Sequence, residues 1–415
     1  MSRMIEIGCG RKGTGSGAGR DSHWHRVLTA AVSLLLCAAP CGAQPGAAQE
    51  NLRQTALVLE QQGRNAESEE AWRSYLRVHP SSSEAYAHLG LLAARQEDYK
   101  DAIPLYHKAL ALHSTIPGLQ LNLGLAYFKA GDMKEALQEF IPLLKSTAPS
   151  SPGRQRLTLL AGMSYYGMEK YAQAAPYLKE ASDRDPQNLP LLMALAHSYL
   201  WSKQYQNVMD TYRKILLQNA ESAEADMLAG EALDELKDTG GAIQQFRAAV
   251  RADPKMPEVH FGLGYLLWGK RQYQDAVPEF QAELDNNPQY AQAMTYLADC
   301  DVHLGHPEAA APLLEKAIAI DPGIELAHLD LGSIDADAGR LDDALREFTA
   351  AAKLAPNDVD VHWRLGRVYR TMGKKELAKA ELDKARGITQ DADTALVNKM
   401  NPHSAQAPAA TQEGK

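Results

Sequence analysis

Three sets of side chains in this chain of 415 residues are spaced closely enough to act together. Gly13, Gly15, Gly17 and Gly19 alternate like the backbone cradle of a phosphate-binding loop, but no strand precedes them and no Gly-Lys-Ser/Thr comes after. Phe261, Tyr265 and Trp268, four and three residues apart, fall on one face of a helix. They would offer a ligand apolar or stacking contacts, or else pack against a neighbouring helix. Arg364, Arg367 and Arg370 form a row of guanidinium groups in the same way, either a binding feature or a solvated face. The groups that carry catalysis are missing: there is no His-Glu-x-x-His, no paired-cysteine motif, and the histidines are scattered along the chain. The expectation is therefore a binding protein and not an enzyme, with no metal and no cofactor.

Such groups need a frame, and the frame is a repeat. A pattern beginning at Gln49, Ser83, Pro117, Gln155, Leu189, Ala223, Pro257, Ala291, Glu325 and Val359 returns ten times at 34 residues, with one four-residue slip at Ser151 to Arg154. The eighth place is always Gly or Ala (Ala56, Gly90, Gly124, Gly162, Ala196, Gly230, Gly264, Ala298, Gly332, Gly366). The twentieth is small in nearly every unit, as at Ala102, Ala136 and Ala344. The twenty-fourth is always large, from Trp72 and Tyr106 to Phe348 and Leu382. Apolar places four, seven and eleven make one helical stripe, and twenty, twenty-four and twenty-seven a second. Two antiparallel helices per unit result, with small residues at eight and twenty allowing close approach. Gly131, Gly305, Gly339 and Gly373 supply the turn between them, and Pro80, Pro186, Pro254, Pro288, Pro322 and Pro356 end the second helix.

In these columns the chain resembles the tetratricopeptide repeat family, whose unit has the same length, small residues at eight and twenty, an aromatic at twenty-four and proline at thirty-two. The resemblance covers about Gln49 to Ala392. It implies an all-α, right-handed superhelical solenoid of about ten antiparallel helix pairs, with a concave groove that binds a segment of another protein. Places two, five, nine and twelve of the first helix, with six and thirteen beside them, line that groove in the family. Here they give Phe128, Tyr166, Trp201, Phe261, Tyr265, Trp268, Tyr296 and Trp363, together with Arg364, Arg367 and Arg370. Acid gathers on the sixth unit, at Glu224, Glu231, Asp234 and Glu235. Family members that clamp a terminal carboxylate use Lys and Asn at set places, which read Ala87, Leu91, Leu121 and Leu125 here, so the early units lack that clamp.

Departures from the pattern are few. Ser114, Ala148, Ala220 and Gln390 replace the proline at thirty-two, and Glu283 stands at an apolar place. Pro142 falls inside the second helix of the third unit, where proline costs about 3 kcal/mol against alanine. With Pro149, Pro152 and Gly153 it marks either a weak joint between repeats 1–3 (49–150) and repeats 4–10 (155–392), across the insertion 151–154, or a local kink.

Residues 1–43 read as an export signal: basic residues through Arg26, an apolar run from Val27 to Ala39, and a small residue at Ala43 for cleavage. The run is shorter than the roughly 20 residues a membrane helix needs. The alternative is an uncleaved N-terminal anchor, the sole route to a membrane. Of four cysteines only Cys300 lies outside this segment, so the mature chain forms no internal disulfide. The net charge of -9 argues against nucleic acid as a partner. A periplasmic or secreted adaptor for another protein is the leading expectation. A polysaccharide-handling groove, in which aromatic faces stack on sugars, is the alternative. Residues 393–415 are expected to form a short capping helix through Met400 and a disordered tail.

Overall fold

The computed structural model describes residues 45–400, and every regular element among them is a helix, twenty in all. Two compact units divide at Gln218 and Asn219, within the turn between the fifth and sixth repeats. The first holds α1 (Pro45–Gln61), α2 (Asn65–Val78), α3 (Ser83–Arg95), α4 (Tyr99–Ala111), α5 (Leu119–Ala130), α6 (Met133–Ser146), α7 (Pro152–Gly167), α8 (Tyr171–Arg184), α9 (Leu189–Trp201) and α10 (Tyr205–Leu216). The second holds α11 (Ala223–Glu235), α12 (Thr239–Ala252), α13 (Val259–Gly269), α14 (Tyr273–Asn286), α15 (Ala291–Leu304), α16 (Pro307–Ile320), α17 (Glu325–Asp337), α18 (Leu341–Leu354), α19 (Val359–Thr371) and α20 (Lys375–Met400). Odd-numbered helices are the first of each repeat and even-numbered the second. Each packs on its successor within a unit, and first helices also touch first helices of the next repeat, as α13 does α15 and α15 does α17.

The column of small residues and the column of large ones meet each other directly. A Cβ added to Gly332 would lie 2.8 Å from Cδ1 and Cε1 of Phe348, and one on Gly366 would lie 2.7 Å from Cγ of Leu382. The small residue at eight is thus a seat for the large side chain at twenty-four, which is fully buried in Trp72, Tyr106, Phe140, Phe246, Phe280 and Phe348. Each such ring contributes about 1.5–3 kcal/mol of burial. The turn at place fifteen has positive φ in all ten repeats: Gly63, Gly131, Gly305, Gly339 and Gly373, but also Glu97, Glu169, Lys203, Lys237 and Arg271. The five side-chain-bearing residues accept the left-handed conformation that glycine adopts without strain.

At the four-residue insertion the chain is tied down. α6 continues through Pro142, one of five prolines inside second helices, the others being Pro104, Pro176, Pro278 and Pro312. The added residues lengthen α7 at its start, where Ser151 accepts the Gly153 N–H. Arg154 Nη1 donates to the carbonyls of Leu144 at 3.0 Å and Thr147 at 3.3 Å, and Arg184 Nη2 to that of Pro149 at 3.1 Å. α6 and α7 pack together within one unit, and the division between units falls elsewhere. At the other end, the expected separate cap is part of α20, which runs on past Gln390, one of the four residues that replace proline at place thirty-two. Residues 1–43, with Cys9, Cys37 and Cys41, and the tail 401–415 lie outside the described residues.

Candidate partner-binding face

α13 carries the densest aromatic group, and a charged residue in the core starts that helix. Glu258 precedes α13 in the left-handed conformation, with φ 66 and no side-chain cap of its own. Glu283, only 2% exposed on α14, caps it instead: its carboxylate accepts the N–H groups of Glu258 and Phe261, each at 3.1 Å. A carboxylate at a helix N-terminus satisfies orphan donors and meets the positive end of the helix dipole. The residue that breaks the apolar pattern therefore fixes the helix that bears Phe261, Tyr265 and Trp268.

These three rings do not share one environment. Phe261 was expected on the open stripe, but it is 4% exposed, enclosed by Tyr290 at 5.0 Å, Phe280 and Tyr296 at 5.8 Å and Tyr265 at 6.3 Å between centroids. It is a core residue, because Tyr290, the last residue before α15, and Tyr296 on α15 close over it. Tyr265 and Trp268 are half-buried and stack at 5.6 Å, and Tyr296 meets Trp268 edge-on at 4.8 Å. The Trp268 indole N–H donates to Asp299 on α15, itself 4% exposed. Burial pushes the phenols of Tyr290 and Tyr296 far above their ordinary range, so both stay neutral.

The remaining candidates are distributed over both units. In the first, Phe128 is half-buried against Phe140 at 6.5 Å, while Tyr166 meets Tyr171 at 5.6 Å and Tyr171 stacks on Trp201 at 5.9 Å. Tyr171 begins α8, so this small cluster draws on first and second helices alike. In the second, Trp363 is 46% exposed. Arg364 is engaged, its Nε donating to Asp360 at 2.8 Å and its Nη1 to Ser333 at 2.7 Å. Arg367 is exposed and shares a cleft of about 180 Å³ with Arg364, Ser333 and Thr371; Arg370 does not line it.

Two features were missed in the sequence. Histidine at place four pairs with glutamate at place twenty-three in three repeats: His260 with Glu279 at 2.6 Å, His328 with Glu347 at 2.8 Å, His362 with Glu381 at 2.6 Å. His328 and His362 also face the carbonyls of Pro322 and Pro356 at 3.1 and 3.0 Å, pinning each first helix to the turn that ends the repeat before. The signal was available, since the "scattered" histidines share one place in the register. The second is Asp330 on α17, 8% exposed, whose Oδ2 is buried without a hydrogen-bond partner. Burial, then the neighbouring Asp299, hold its carboxyl well above the usual range, with Arg364 opposing. Cys300 is fully buried, and burial pushes its thiol up to about 12, which leaves it unreactive. Among the described residues no group of three or more His, Cys, Asp or Glu is placed to hold a metal ion, and no helix is long and apolar enough to cross a membrane.

The chain is similar to several known proteins. The chain is 25% identical over 212 residues to the BBSome complex member BBS4 of Bos taurus, covering 51% of this chain and 40% of that one. It is 20% identical over 291 residues to anaphase-promoting complex subunit 3 of Schizosaccharomyces pombe, covering 70% and 43%. The chain thus spans less than half the length of either relative. Among solved structures, YrrB, a TPR protein with an unusual peptide-binding site, is 25% identical over 46% of this chain and 97% of its own, with a TM-score of 0.38. A tetratricopeptide repeat protein of Parabacteroides merdae is 18% identical over 64% and 97%, with a TM-score of 0.45. Two family models, each described as tetratricopeptide repeat, match residues 53–117, 89–152, 210–257 and 261–323 in one case and 165–232 and 335–400 in the other. The chain belongs to the tetratricopeptide repeat family, whose repeats indicate a protein-interaction scaffold.

Proposed function

We propose that this scaffold is an exported, non-enzymatic adaptor that holds an extended or helical segment of another envelope or secreted protein against its first helices. The observation that carries the reading is the half-buried ladder of Tyr265, Trp268 and Tyr296 on α13 and α15, whose rings are 4.8–5.6 Å apart and lie where successive first helices adjoin. Rigid aromatic side chains that keep part of their surface open are favourable anchors, since they bury much area for little conformational entropy. Export rests on the pattern of residues 1–43 and is tested by N-terminal sequencing of the protein recovered from the cell envelope or medium.

The test uses Trp268→Ala and not Phe261→Ala, because Phe261 belongs to the core. Full-length protein should capture a defined envelope protein, and Trp268→Ala should weaken that capture while circular dichroism is unchanged. Capture that ignores the substitution would end the assignment to this face. A polysaccharide reading draws on Trp363, whose 46% exposure leaves a face for a sugar ring. It requires tryptophan quenching on a glycan that Trp363→Ala abolishes.

A further inference from the structure

Three carboxyl groups on α11 and at the start of α13 stand outside the salt bridges that hold others on the first helices, such as Asp335 with Arg340 and Asp360 with Arg364. Glu231 and Asp234 on α11, and Glu258 before α13, have no side-chain hydrogen bond or ion pair among the described residues. Burial, then Glu258, pushes the Glu231 carboxyl up to about 7; burial also raises Glu258, and it raises Asp234 against the opposing charge of the exposed Lys237. Asp234 lies close enough to Tyr265 to disfavour its phenolate, which places this acid beside the aromatic ladder. Beyond Trp268, the ladder ends on Asp299, with the partnerless Asp330 oxygen facing it from α17. Arg364, the guanidinium that acts on Asp330, is already held by Asp360 and Ser333.

Desolvated carboxylates without a cation are costly, and the faces of Trp and Tyr rings attract cations. A neutral or acidic segment would leave this cost unrelieved; a basic one would relieve it. We propose that the face formed by α11, α13 and α15 docks a lysine- or arginine-bearing segment of the partner, its cations near Glu231, Asp234 and Asp299 and its aliphatic stems along Tyr265 and Trp268. This rests on the adaptor reading and names the chemistry of the segment that the adaptor holds.

Calorimetry with full-length protein tests it, with a synthetic peptide of alternating lysine and glycine as the probe and a glutamate–glycine peptide of the same length as the control. The lysine peptide should bind, more weakly as salt is raised, and the glutamate peptide should not. The double variant Glu231→Gln, Asp234→Asn replaces partly exposed side chains by isosteres and should lower the affinity about tenfold with circular dichroism unchanged. A lysine peptide that fails to bind, or that binds the double variant equally well, overturns the proposal. Envelope-protein capture separates the two readings: a partner lost on Trp268→Ala but kept by the double variant sinks the basic-segment inference and leaves the adaptor standing.

Discussion

Phe261→Ala separates a ligand-binding face from a core. Helical periodicity puts Phe261 on the stripe with Tyr265 and Trp268, whereas the structure leaves it 4% exposed among four rings with centroids 5.0–6.3 Å away. Truncating a buried phenylalanine costs about 3–5 kcal/mol through lost transfer energy and the cavity left behind. Each aromatic pair adds about 0.5–1.5 kcal/mol beyond its area, which puts the expectation in the upper part of that range, about 4–5 kcal/mol. For a unit of about two hundred residues, at about 2–4 °C per kcal/mol, the midpoint of the second unit should fall by about 8–20 °C. Thermal unfolding followed by near-ultraviolet circular dichroism reads the change, since Tyr265, Trp268, Tyr290 and Tyr296 lose their packed environment. Partner binding measured well below the new midpoint should be largely kept. A variant that unfolds within about 0.5 kcal/mol of wild type but no longer binds would refute this, and would mean that the ring faces the ligand.

Three further outcomes are expected from the geometry. Gly332→Ala, whose new Cβ would lie 2.8 Å from the Phe348 ring, should cost about 1–3 kcal/mol in chemical denaturation, and Phe348→Leu in the same chain should recover part of it. Glu347→Ala leaves the 6% exposed His328 facing an empty space and should cost about 2–3 kcal/mol, while Glu347→Gln, which keeps an acceptor, should cost less than half as much by the same measurement. Glu231, with its carboxyl raised to about 7 chiefly by burial, binds its proton more tightly folded than unfolded. Its contribution is therefore full below its ordinary value near 4.5 and is lost as pH rises toward 7. A pH series of unfolding midpoints for the second unit should decline across that window, and Glu231→Gln should flatten the decline.

Much of the fold is legible in short-range spacing. The pairing of Gly332 with Phe348 and of Gly124 with Phe140, sixteen residues apart, already states that two helices meet closely. What the columns do not state is that place eight seats place twenty-four itself, which needs the actual crossing of the two helices. The same limit explains Gln390: its failure to be proline was visible, but the run of α20 to Met400 also requires residues 391–400 to keep the helical conformation. Pro142 looked exceptional on propensity alone, yet the second helices accommodate five prolines.

The sequence by itself determined the family, the period, the two helices per repeat and their core stripes. These are properties of residues three, four and seven apart on one helix, and they survive any arrangement of neighbours. Only the tertiary structure decided that Phe261 is enclosed while Trp268 stays half open, that Glu283 caps a helix on another element, and that Asp299 and Asp330 face each other from different repeats. Those outcomes depend on the stagger of one repeat against the next. A different stagger would exchange what is covered for what is open, and no spacing within a single helix encodes it.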